Sequence, residues 1–348
     1  MKLQQTQKLN MRTDYPNLDL AKIVCALLVV VIHTSPLDNT SALAGFYLDD
    51  VIARIAVPLF FAISSFLFFR SIAFENGRIV RSGSNFRRLL RVTWKNLRLY
   101  IIWSLIYLVI LLPEWHKTGW WGLHAVKDWF HSFLLIGSYY HLWYLLALIA
   151  ALPALYLLLS LIPVSKIWII AAGLWIMECL TYSYSWIGVD EIPIAAFIGE
   201  KMPVVFDAAF RAVPLMAIGA ILSQQRRKPA KLRVCVAAFF LCVAEASLLH
   251  FLTPNENKYS YLFTTPFMTA AVMTVLVYGK QLSVPEKWQY RLRDMSLLIY
   301  CLHPMICYSF RKWELASGPV LWLSVTMLSI GIAYLWAEMK RYFSKRKD

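Results

Sequence analysis

Apolar stretches of about 20 residues recur along almost the whole chain, as in "WYLLALIAALPALYLLLSL" (143–161). A hydrocarbon core about 30 Å thick needs about 20 helical residues to cross it. Inside lipid every backbone N–H and C=O must be satisfied within its own segment, which makes each such stretch a helix. Ten are placed, at 17–37, 48–70, 96–113, 141–163, 166–185, 203–223, 232–252, 260–280, 295–312 and 319–338. The fold class is therefore an all-α polytopic integral membrane protein with about ten transmembrane helices. A ten-helix domain over 17–338 lies between an N-terminal segment, 1–16, and a basic tail, 339–348. The first helix is too long for a cleavable signal peptide, contains Asp19 and Lys22, and is not followed by a small-x-small cleavage pattern. Nothing between the helices is long enough to bury a soluble core, and no internal repeat stands out.

The net charge of +15 looks at first like a nucleic-acid footprint. Its distribution says otherwise. With ten helices, 26 of the 35 Lys and Arg fall at the termini and in alternate loops, chiefly 70–98. The opposite side holds Lys117, Lys127, Lys201, Lys258, Arg311 and Lys312. The positive-inside rule then puts both termini in the cytoplasm, and no nucleic-acid partner is needed. The six cysteines all lie within predicted helices and form no C-x-x-C pair, so they read as small apolar fillers. No metal-ligand spacing is present, and no metal is expected.

The information lies in the polar residues that interrupt the apolar runs. "NLDLAKIVCALLVVVIHTSPL" (17–37) carries Asp19, Lys22 and His33. At about 100° per residue, the eleven steps from Lys22 to His33 return to within roughly 20° of one direction, and Asp19 falls within roughly 40° of His33. Lys22 and His33 lie about 16 Å apart along the axis, half the hydrocarbon core, and the stripe has to face protein or water. Arg54, His141, Arg211 and His303 sit at a similar depth on four other helices, with Glu178, Glu245 and Asp207 as the available acids.

Each has a plainer reading. Arg211 pairs with Asp207 one turn away; His141 belongs to an interfacial aromatic belt with Tyr139, Tyr140, Trp143 and Tyr144; His303, just before Pro304, satisfies carbonyls freed by a kink. Ser296, Tyr300, His303 and Cys307 nevertheless share one helical face, which favours a lined cavity. The Arg-rich 70–98 loop reads most economically as a topology signal.

"LDLAKIVCALLVVVIH" resembles the first helix of the membrane acyltransferase 3 family, marked by a basic residue, ten residues, then His. "RIAVPLFFAISSFLFF" resembles its second-helix motif, followed by the basic "NFRRLLRVTWKNLRLY"; "HLWYLLAL" and "SLLIYCLHPMI" resemble two further motifs in the same order. Two departures stand out. Lys22 replaces the usual Arg, keeping charge but losing the planar fork, and Ser64-Ser65 replaces the usual Ser-Gly. Within the family the chain is similar to stand-alone O-acetyltransferases of bacterial surface glycans and to the membrane half of vancomycin-resistance serine racemases.

The resemblance implies a bacterial inner-membrane enzyme. It would move an acyl group, usually acetyl, from cytoplasmic acetyl-CoA to a hydroxyl of an extracytoplasmic glycan or lipid-linked sugar. It assigns catalysis to His33, Arg54, His303 and Tyr300, and donor binding to Lys22, Asp19, Arg88 and Arg91. His141, Trp143, Arg211 and Glu178 become substrate-binding or structural. A neutral imidazole suits a general base for a hydroxyl, a fixed Arg or Tyr suits an oxyanion, and His33 as acyl carrier is the alternative. A transporter without chemistry, or a subunit relaying acyl groups to a partner enzyme, would use the same buried charges.

Overall fold

The structure is a computed structural model that describes residues 15–185, 200–225, 228–253 and 262–345. The predicted N-terminal segment as far as residue 14, Lys258, the arginines at 226 and 227, residues 260–261 of the predicted eighth helix and the last three residues of the tail lie outside the described residues.

Among the described residues the chain forms eleven main helices and one small hairpin. They are α1 (Pro16–Thr34), α2 (Ala42–Phe69), the strands β1 (Phe74–Glu75) and β2 (Arg78–Ile79), α3 (Gly83–Thr118), α4 (Leu123–Leu135), α5 (Trp143–Leu161), α6 (Ile167–Thr181), α7 (Pro203–Gln224), α8 (Leu232–Leu252), α9 (Thr265–Tyr278), α10 (Glu286–Lys312) and α11 (Gly318–Lys345). A helix stands over each of the ten predicted segments. Seven (α1, α2, α3, α5, α7, α8 and α11) are long and apolar enough to cross a membrane. Helices α6 and α9 are apolar but shorter, and the first half of α10 is charged.

The boundaries differ where charge hides a helix. α3 begins at Gly83 rather than residue 96, because its basic N-terminal turns were read as loop. Ser82 caps it by accepting from Asn85 N at 3.3 Å. Buried Asn85 then ties the hairpin down, bonding Ala73 through both its oxygen and its nitrogen at 3.1 Å and Val80 O at 2.9 Å. Helix α4 occupies a stretch read as loop. Helix α11 continues past residue 338 to Lys345, and Lys340 meets Asp294 of α10 at 2.7 Å. In the other direction α1 stops at Thr34, short of residue 37, because Ser35 turns left-handed (φ 44°) and Pro36 cannot extend the helix.

Two packing relations place the site. Helices α1 and α10 run parallel: Asp19 meets Arg293 near one end, and His33 meets Cys307 and Arg311 near the other. Helices α2 and α7 also run parallel to each other, through Ser65–Met216 at 2.5 Å and Gln224–Phe69 at 3.1 Å. They approach so closely that a Cβ on Gly219 would collide with the Ala62 carbonyl. The short turn between α1 and α2 makes the two pairs antiparallel, so the end of α1 that carries His33 meets the start of α2 that carries Arg54 at the cavity.

That packing exposes a likeness missed in the linear reading. α2 carries Asp50-Val-Ile-Ala-Arg54-Ile-Ala-Val-Pro58-Leu and α7 carries Asp207-Ala-Ala-Phe-Arg211-Ala-Val-Pro214-Leu, offset by one residue after the arginine. Each string begins in a π-helical segment, Phe46–Ile52 and Asp207–Ala212. Such segments insert an extra residue in a turn, which re-aims the side chains around it and recurs at functional sites.

Candidate functional site: a cavity between imidazoles and arginines

A cavity of about 80 Å³ opens between α1, α2, α5, α6, α7 and α10. Six of the predicted site residues line it: His33, Arg54, His141, Trp143, Arg211 and Tyr300. They come from five helices or their approaches, as depth along the sequence implied. Gly137 sets the approach to α5: its φ is 118°, and a Cβ there would press on Trp143 N at 2.7 Å, so no larger residue lets the chain turn to present His141.

The His33 ring stacks on His303 with 5.3 Å between centroids and 18° between planes, and meets the Tyr140 ring edge at 4.7 Å. His303 is fully buried, with Nδ1 3.0 Å from the Ile299 carbonyl. A carbonyl only accepts, so Nδ1 carries the proton and Nε2, which has no partner, is left as an acceptor. His303 therefore binds the carbonyl of its own preceding turn, as the plainer reading had it, and also backs His33. The His141 ring lies 5.8 Å from His303, and neither of its nitrogens is hydrogen-bonded. Buried polar atoms are seldom left unpaired, and the two nitrogens of His141, which lines the cavity, mark a place where a ligand or proton would be welcome.

The two arginines differ. Arg211 binds Asp207 and the fully buried Glu178, and lies over the Tyr182 ring at 4.5 Å and Trp143 at 5.7 Å. Arg54 pairs with Asp50 at 2.9 Å, and both side chains of that pair are about one-third exposed. Glu245, the third candidate acid, does not join either: it accepts from Phe263 N, Thr264 N, Thr264 Oγ1 and Tyr184 Oη at 2.5–3.0 Å. The Tyr300 hydroxyl donates to the His141 backbone carbonyl, so in this geometry its proton is already committed. Tyr144, close by, reaches Ser64 Oγ at 3.3 Å and was read from sequence only as part of an aromatic belt.

The opposite end of α1 holds the cations. Asp19 is 2% exposed and is shared by Lys22 at 3.4 Å and Arg293 at 2.8 Å. Lys95 and Arg293 are the cations that act on Lys22. Arg293 comes from the charged half of α10, which sequence reasoning treated as loop. The structure does not bring Arg88 and Arg91 to Lys22. Arg88 is half-buried and Arg91 exposed on α3; Arg88 donates to the Ser71 carbonyl at 2.5 Å and stands seven residues, about 10 Å, before Lys95 along the same face. Among the described residues no group of three or more His, Cys, Asp or Glu is disposed to hold a metal.

A helical membrane protein whose parallel and antiparallel spans gather imidazoles and arginines around one cavity is the class these observations define. Residues 15–338 match the family described as "Acyltransferase domain" (Acyl_transf_3), and the chain belongs to that family. It is also similar to a "Serine/alanine racemase" of Enterococcus gallinarum, 26% identical over 95% of this chain and 47% of the relative. An "Amino-acid racemase" of Enterococcus faecalis is 24% identical over 93% of this chain and 46% of the relative. The chain thus spans about half the length of the curated relatives it matches. No solved structure matches it.

Proposed function

We propose that the protein is a multi-pass O-acyltransferase of a bacterial inner membrane, with about ten spans and both termini in the cytoplasm. It takes an acyl group, acetyl by preference, from acetyl-CoA and passes it to a hydroxyl of an extracytoplasmic glycan or lipid-linked sugar. The observation that carries this reading is His33 in the wall of a cavity it shares with Arg54, stacked on His303. His33 accepts the acceptor's hydroxyl proton as the oxygen attacks the thioester carbon. The acyl–oxygen bond forms, the carbon–sulfur bond breaks, and the proton passes from His33 to the departing thiolate. Arg54, held by a single exposed carboxylate, is the donor placed to stabilise the oxyanion. Lys22, with Lys95 and Arg293, offers the phosphates of the donor a cationic entrance at the other end of α1.

The test is purified protein in nanodiscs with labelled acetyl-CoA and a lipid-linked glycan extract. His33→Ala should lose about 10²–10⁴ in transfer while keeping its fold and its donor affinity. Acceptor labelling by folded His33→Ala at the wild-type rate sinks the assignment. A C-terminal tag accessible from outside the cell sinks the topology.

The relatives' names point to a free amino acid, and in a second reading the chain carries such a molecule through the cavity without chemistry. Under it, amino-acid flux into proteoliposomes occurs without acetyl-CoA.

A further inference from the structure

His33 lies against two hollows that share no lining residue among the described residues. One is the cavity it forms with Arg54. The other is an open depression of about 370 Å³ between the end of α3, the end of α10 and the approach to α5. Glu114, Tyr139, Tyr140, Tyr308, Arg311 and Lys312 line it. Three residues of its lining nevertheless touch His33. Tyr140 meets the imidazole, with 4.7 Å between ring centroids. Arg311 donates to the His33 carbonyl at 3.0 Å, and the Cys307 thiol reaches the same oxygen at 3.8 Å.

The lining has the chemistry of a sugar site, a few convergent polar groups beside aromatic rings, at a volume usual for small ligands. The Tyr140 ring is half exposed, and Tyr139 beside it is braced by stacking on Tyr107 at 4.2 Å. Glu114 is held through one oxygen. Its Oε1 accepts from Tyr308 Oη at 2.6 Å and from Lys312 Nζ at 2.7 Å, which leaves Oε2 to accept from a hydroxyl. Arg311 spends one N–H on the His33 carbonyl, and among the described residues no carboxylate pairs with it. Arg311 and Lys312 against Glu114 leave the depression one positive charge in excess. A guanidinium with donors to spare takes a carboxylate through two parallel N–H bonds.

We propose that this depression is the acceptor subsite and takes a glycan unit carrying one carboxylate. The acid pairs with Arg311, one hydroxyl donates to Glu114, and the C–H face of the ring rests on Tyr140, which presents a neighbouring hydroxyl to His33. This rests on the acyl-transfer reading above, whose topology puts the depression at the outer surface.

The experiment needs no acyl donor. The full chain in phosphatidylcholine nanodiscs is titrated with methyl glucuronide and methyl glucoside, which differ at one carbon, carboxylate against hydroxymethyl. Binding is followed by saturation-transfer NMR. Wild type should bind the glucuronide about tenfold more tightly or better, the contribution of a charged hydrogen-bonded pair. Arg311→Gln should remove that preference and leave glucoside binding unchanged. Arg311→Lys keeps the charge without the fork, should retain only part of the preference, and serves if Arg311→Gln does not fold. Tyr140→Ala should weaken both sugars by up to about tenfold, and Lys22→Met should alter neither. Equal binding or no binding by wild type, a full preference in the folded Arg311 variants, or a preference lost in Lys22→Met overturns the inference. The proposed function then still stands if His33-dependent transfer occurs. A glucuronide preference set by Arg311 in a protein without transfer keeps the saccharide site and overturns the proposed function.

Discussion

The two Asp–Arg strings of α2 and α7 start from nearly the same sequence and end in different roles. Both place an arginine four residues after an aspartate, next to Ala-Val-Pro-Leu and at the edge of a π-helical segment. Arg211 is closed in: two carboxylates, one of them fully buried, and the rings of Trp143, Tyr182 and Phe206 surround it. Arg54 has, among the described residues, one carboxylate in salt-bridge contact, and it lines both the His33 cavity and an apolar groove between α1, α2, α8 and α9. A buried charge with a complete set of partners holds helices together; the same charge left with a single exposed partner can be turned to a ligand. The local motif supplies the charge, and the neighbours decide its use.

The largest expected effect falls on the closed site. Removing one partner there, by Glu178→Ala or Arg211→Ala, strands a buried charge and should cost about 3–5 kcal/mol. It should be read as lost monodisperse yield and a lower Tm, with activity falling only in proportion to folded protein. A stable Arg211→Ala protein that has specifically lost turnover would move Arg211 into the catalytic machinery.

The open site should respond in the opposite manner. Arg54→Gln should lower kcat by about 10²–10³, the usual loss for one oxyanion donor. Its cost in stability should stay within the 1 kcal/mol or so of an exposed pair. Thermal unfolding and single-turnover transfer measured on one preparation separate the two sites.

Smaller effects test the cation cluster and the tether. Lys22→Met should raise the KM for acetyl-CoA about tenfold, equivalent to about 1.4 kcal/mol, with kcat little changed, as for a uniform binding contribution. Lys22→Arg should stay close to wild type. An unaltered donor affinity in folded Lys22→Met would leave Lys22 only the task of neutralising Asp19. Asp50→Asn should change kcat by a few-fold at most, since it loosens Arg54 without removing its charge. A hundredfold loss there would make Asp50 a participant and not a tether.

Much of this was legible because the membrane makes residue placement costly. Lys22, Asp19 and His33 on one stripe of α1 could be found by counting, since a polar stripe in lipid must face inward. The pairing of Arg211 with Asp207 followed from a spacing of four. Other parts were not legible. The partner Glu178 is 33 positions from Arg211 in the chain, and nothing local in "LWIMECL" announces it. Arg293 was hidden because the charged turns of α10 have the composition of a loop, and the early start of α3 was hidden for the same reason. The likeness of α2 and α7 escaped a linear scan because one inserted residue, Ile55, breaks the register after the arginine.

The sequence by itself determined that the chain is a bundle of membrane helices, that its buried polar residues must share an interior, and which of them lie at comparable depth. Those conclusions need only the cost of polar groups in lipid and the 1.5 Å rise of a helix. The tertiary structure alone decided which helices face one another, and hence that Arg211 is saturated while Arg54 is open. It also decided that the Tyr300 hydroxyl is committed to the His141 carbonyl. Rotation of a helix about its axis and the choice of its neighbours are set by packing among all the spans at once, and no single segment encodes them.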